Sequence, residues 1–111
     1  MLEHEKIDFK IHIIKLGTHK KYEDKENVIF EIRSYLIGKY QEKEEMELFV
    51  TPINNFDFTN FIEFKDITEN VLMKWIETYS KTNVENGKIK IIESIFPTRE
   101  YLQPPYYHTI V

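Results

Sequence analysis

The chain has 111 residues, 41% hydrophobic and 31% charged, with a formal net charge of −4, the make-up of one globular domain able to bury roughly two-thirds of its unfolded surface. Acids and bases are interspersed, so no broad positive field attracts phosphate backbones and sequence-independent nucleic-acid binding is disfavoured. No apolar run approaches the roughly 20 residues of a membrane helix, cysteine is absent, and the start Met-Leu-Glu-His-Glu-Lys lacks a secretory signal's features, so a reducing, cytoplasmic setting is expected.

In chain order, residues 7–16 alternate imperfectly, with Phe9, Ile11 and Ile13 against Lys10, His12 and Ile14, and predict a first strand. Residues 17–27 are polar without an apolar period and read as a loop or hairpin connection. Residues 28–37, where Val28, Phe30 and Ile32 alternate against Ile29, Glu31 and Arg33, predict a second strand rich in β-branched and aromatic residues. After a solvated connection over 38–45, Met46, Leu48 and Val50 against Glu47, Phe49 and Thr51 predict a third strand ending at Pro52. Strands joined by short polar links pair as an antiparallel meander.

The helix signal lies over residues 68–81. Thr68 can cap it, with Asp66 as the rival cap, and Ile67 and Leu72 stand where a hydrophobic staple would join. Val71, Leu72, Trp75, Ile76 and Tyr79 then recur at helical spacing, while Lys74, Glu77 and Lys81 take the other side. Residues 83–96, with Gly87 among Ile89, Ile91, Ile92 and Ile95, suit a second helix or a short strand, helix being favoured. From Pro97 onward, Pro104-Pro105 and the clustered tyrosines predict an extended segment. The expected fold is therefore α+β: an antiparallel meander of three strands or slightly more, one main helix on a face, a second short helix in doubt with a strand, and an extended tail. We expect one domain over 1–100, with 101–111 as the tail.

Val50-Thr51-Pro52, Phe61-Ile62-Glu63-Phe64, Ile67-Thr68-Glu69, Val71-Leu72 and Trp75-Ile76 together resemble a family of small, functionally uncharacterised proteins of tailed phages that infect marine bacteria. In that family a strand-rich half ends in a similar Thr-Pro, followed by an aromatic and acidic approach, a Leu-Thr-Glu-Glu cap, and a helix carrying Val-Leu and Trp-Ile. Here Ile67 replaces the Leu and Asn70 the second Glu. The resemblance spans roughly residues 28–81. The family's tail carries a second helix and a Pro-Trp, whereas this chain has Phe96-Pro97 and a longer aromatic extension. It implies a phage origin, in host cytoplasm or virion, and transfers no catalytic residue. The absence of alanine and the scarcity of arginine, two in all, agree with an AT-rich source.

No residue constellation commits to a chemistry. His4, His12, His19 and His108 are scattered and read as surface or edge-strand residues, not ligands. The acidic clusters are mixed with lysine and read as solvated faces. Ser34, Ser80 and Ser94 lack a nucleophile elbow, and Gly17, Gly38 and Gly87 form no phosphate loop. The chain is thus read as non-enzymatic, with no cofactor and no metal.

The aromatic residues divide by place. Phe61, Phe64, Leu72, Trp75 and Ile76 are expected to anchor the core, as large apolar side chains do. Tyr101, Leu102, Tyr106, Tyr107 and Ile110 lie in a tail the core does not need, and tyrosine is enriched at protein interfaces. The expectation is a protein that works by protein contact, as a twofold homodimer or with another phage or host protein. A strand added at an open sheet edge is one way to make that contact. The alternative is a single-stranded nucleic-acid binder stacking bases on aromatics beside Lys10, Lys15, Lys20 and Lys21.

Overall fold

The structure, a computed structural model, describes residues 6–54 and 61–106. Three strands, β1 (Asp8–Tyr22), β2 (Lys25–Tyr40) and β3 (Lys43–Pro52), form an antiparallel sheet in the order β1-β2-β3, and two helices follow, α1 (Glu69–Tyr79) and α2 (Lys81–Ile95). The α+β meander with a packed helix is therefore present, and residues 83–96 are helical in all but their last position.

The strands outrun their apolar patterns. Residues 17–22 and 38–40 continue β1 and β2, and only Glu23-Asp24 and Gln41-Glu42 turn the chain. Backbone pairing needs no apolar side chain once a neighbouring strand supplies the ladder, so the hairpins run to their tips through charged residues. Glu23 and Gln41, each first in its two-residue turn, have φ of 57° and 54°, the left-handed conformation such hairpins require.

Register decides the two faces, because residues directly opposite share a side of the sheet. Ile32, Ser34, Leu36 and Gly38 of β2 form one buried column. Phe49 lies opposite Ser34 and Thr51 opposite Ile32, while Ile11 and Phe9 lie opposite Leu36 and Gly38. Both helices pack on this side.

Helix α1 begins where Thr68 Oγ1 accepts from the Val71 N–H at 3.3 Å. Leu72 and Ile76, four residues apart, are buried against the sheet. The helix does not reach residue 81. It stops at Ser80, whose hydroxyl donates to Thr51 Oγ1 at 2.7 Å inside the core, and α2 starts at the next residue. Gly87, Ile91 and Ile95 form the buried stripe of α2. A Cβ on Gly38 would stand 2.5 Å from Ile91 Cγ2, so the missing side chain of β2 is what admits α2.

Of the expected core anchors, Leu72 and Ile76 are buried, whereas Trp75 and Phe61 are half-buried. Trp75 packs against the core from its margin, because the Leu72–Ile76 line faces the sheet and Trp75 stands about 80° round the helix from it. Phe61 lies beneath the Lys25 ammonium at 5.5 Å. Phe64 corrects the expectation: it is 43% exposed, opening a 3₁₀ turn, Phe64–Asp66, in which no residue is buried.

The shortest principal extent is 20 Å, which suits one sheet and one helix layer, since a further layer adds about 10 Å. Among the described residues no helix is long and apolar enough to cross a membrane.

Candidate docking surface

The side of the sheet away from the helices carries no covering element among the described residues. Its rows follow from the pairing: Lys10, Ile37 and Met46; then His12, Tyr35 and Leu48; then Lys15, Arg33 and Val50. Along β3 this makes an apolar column with Met46 53%, Leu48 58% and Val50 38% exposed. Tyr35 and Ile37 adjoin it, half-buried. Lys10, His12 and Lys15 form a polar column along β1, and Ile14, 40% exposed, is the extra residue of a β-bulge there. One face is thus divided into an apolar half and a basic half.

This arrangement is a consequence of the Gln41-Glu42 turn. With Tyr40 paired to Lys43, each step along β3 is tied to a step along β2, which sends Phe49 and Thr51 inward and Met46, Leu48 and Val50 outward. The alternation of β3 is visible in the sequence, but which column meets the helices depends on where the chain turns. A two-residue turn at Gln41-Glu42 was the missing signal, obscured by the absence of glycine.

The second exposed apolar surface is the segment after α2. Tyr101, Leu102 and Tyr106 are 104%, 78% and 69% exposed. Tyr107 and Ile110 lie outside the described residues. The base of this segment is held by Glu93, whose Oε1 accepts from the N–H groups of Thr98 and Arg99, both at 2.9 Å, and whose Oε2 accepts from Thr98 Oγ1 at 2.8 Å. The Thr98 hydroxyl, then the Thr98 N–H, and then Arg99 stabilise the ionised carboxylate and hold its pKa below the ordinary glutamate value. At the same end, Lys43 Nζ donates to the Ile95 carbonyl at 3.4 Å and the Phe96 ring meets Tyr40 edge-on at 4.9 Å. The arm therefore leaves the domain beside the β2–β3 turn, on the helix-covered side of the sheet.

A recess of about 780 Å³ lies between the two helices, with Ile11, Met73, Ile76 and Val84 among its lining residues and Lys74, Glu77, Lys81 and Glu85 mixed in around it. Interspersed opposite charges give it no bias toward a charged ligand. His12 stands on the open face, and His19 packs its ring near Phe30 at 4.9 Å and Tyr22 at 5.6 Å. His4 and His108 lie outside the described residues, and among the described residues no three metal-ligating side chains come together. Comparison with family models, curated proteins and solved structures finds no match to this chain.

Proposed function

We propose that this chain is a small phage protein that works by contact with another protein, without chemistry of its own, and that the open face of its sheet is where that contact is made. The observation that carries the reading is the column Met46, Leu48 and Val50, apolar side chains left in water on a sheet whose other face is packed. Contiguous exposed apolar area, bordered by polar residues, marks an interaction site on a small domain. The phage setting rests on the family resemblance, and the role belongs in a virion, a replication assembly or a host complex.

One observation favours a second reading. Tyr35 lies between His12 and Leu48, with Lys10, Lys15 and Arg33 in adjoining rows, and an aromatic ring among cations is what single-stranded nucleic acid stacks upon. Arg33 is paired with Glu31, and the chain's net charge is negative, so the protein reading takes precedence. A photo-crosslinking residue in place of Leu48, introduced in the native host, tests both. The proposal expects an adduct with a protein, and adducts with nucleic acid alone would overturn it.

A further inference from the structure

We infer that the occupant of the open face is a second copy of this chain, in a twofold dimer that stacks the two β3 columns and lets each arm, residues 97–106, reach across to the other copy. The inference rests on the reading of that face as a protein-docking surface.

Area is the first argument. Met46, Leu48, Val50, Tyr101, Leu102 and Tyr106 have the exposures given above, which amount to about 800 Å² when a large side chain presents roughly 200 Å². Burying that on each of two copies makes about 1,600 Å², the size of a stable protein interface. One chain thus carries both halves of such an interface.

Charge supplies the second. The apolar column is uncharged along three rows; Arg33, one strand away, is paired with Glu31, Glu44 at the column's end lies opposite Lys39, and Lys10 and Lys15 lie two strands away. With the twofold axis along the β3 columns, the lysines of the two copies fall on opposite flanks, about 20 Å apart at 4.8 Å per strand. That exceeds the screening length of about 8 to 10 Å, so self-association does not bring these lysines together. An apolar centre with a polar rim results.

The arm supplies the third. Glu93 holds its first residues, and its root lies beside the β2–β3 turn. Beyond the clamped Thr98 and Arg99, the seven residues 100–106 span up to about 22 Å when extended, enough to round the β2–β3 turn and cross the roughly 10 Å between stacked sheets. A pre-set root lowers the ordering cost of binding.

The edges favour the face over strand addition. β1 has lysines at 10, 15, 20 and 21 and a bulge, and β3 turns Glu47 toward the helices and carries Lys43, Glu44 and Glu45. Inward charges, lysines and bulges are how sheets resist edge pairing.

Light scattering of the full chain across about 1 to 100 µM, the weak end of what such an area yields, should show a species of twice the 13.5 kDa chain mass. Leu48→Glu should leave a monomer throughout that range with unchanged far-ultraviolet dichroism. The full-length double variant Tyr101→Ser/Leu102→Ser should weaken association at least about tenfold. A monomeric parent at the highest concentration, or a Leu48→Glu variant that still dimerises, would overturn the dimer. The Leu48 photo-adduct distinguishes a second copy from any other protein partner. An adduct of twice the chain mass supports the second copy; one with a different protein overturns it while leaving the docking reading standing; nucleic-acid adducts alone, or none, overturn both.

Discussion

Replacing Gly38 by alanine tests how closely α2 closes on the sheet. The added Cβ would lie 2.5 Å from Ile91 Cγ2, 2.9 Å from Phe9 Cε1 and 3.2 Å from Ile7 Cγ2, against the 3.5 to 4.0 Å that carbon pairs prefer. Relief requires a shift of about 1 Å by groups that are themselves packed, and overpacking of this kind costs about 1 to 3 kcal/mol. Removing a strand glycine returns about 0.5 to 1 kcal/mol, so the net loss should be about 1 to 2 kcal/mol. Gly87 is the control. Its Cβ would meet only Leu36 Cδ2 closely, at 3.0 Å, the end of a side chain that can turn, and a helix interior gains about 1 kcal/mol from alanine. Gly87→Ala should therefore be neutral or stabilising. Urea unfolding followed by dichroism and by Trp75 fluorescence measures both. A Gly38→Ala protein as stable as the parent would mean that α2 does not sit down over Gly38, and the packing argument would fail.

Other substitutions probe the buried hydroxyls, the turns and the arm. Ser34 Oγ makes no hydrogen bond to protein although fully buried, so Ser34→Ala should gain up to about 1 kcal/mol, whereas Thr51→Val strands the Ser80 hydroxyl and should lose about 1 to 3 kcal/mol in the same urea assay. Gln41→Gly removes about 1 to 2 kcal/mol of left-handed strain against a backbone entropy cost of about 0.4 to 1, and should raise the urea midpoint by a net of about 0.5 to 1 kcal/mol. Because the folded pKa of Glu93 is lowered, its clamp is fully formed above the ordinary value of 4.5 and is lost as pH falls through the depressed one; the amide resonances of Thr98 and Arg99 should move there, and in Glu93→Gln should lack that transition.

The meander and the helix start were legible because they are local. Alternation in residues 28–37 and 46–52 reports a pleated strand, and Thr68 reports a cap through its own hydroxyl. What the sequence left unread depends on partners far along the chain. Gly38 looked like the first residue of a solvated connection, but it is buried because Ile91, 53 residues later, fills the space over it. Ser80 looked like part of a continuing helix, and its pairing with Thr51 ends that helix. Phe64 has the composition of a core residue, yet the 3₁₀ turn that follows Glu63 sets it on the rim. The open face is the largest case, since two apolar columns compete along β2 and β3, and only the turn position assigns one of them to water.

Met46 is the reporter that reads the open face most directly, being 53% exposed at the first row of the apolar column and oxidised to a polar sulfoxide when accessible. Its modification by hydroxyl radicals, which attack methionine and tyrosine alike, should be followed by mass spectrometry across protein concentration, with Tyr22 at the far hairpin tip as an accessible reference. Occupation of the open face predicts that Met46 becomes protected as the concentration rises, while the modification of Tyr22 stays constant. A Met46 rate independent of concentration, in the parent and in Leu48→Glu alike, would contradict a second copy on this face.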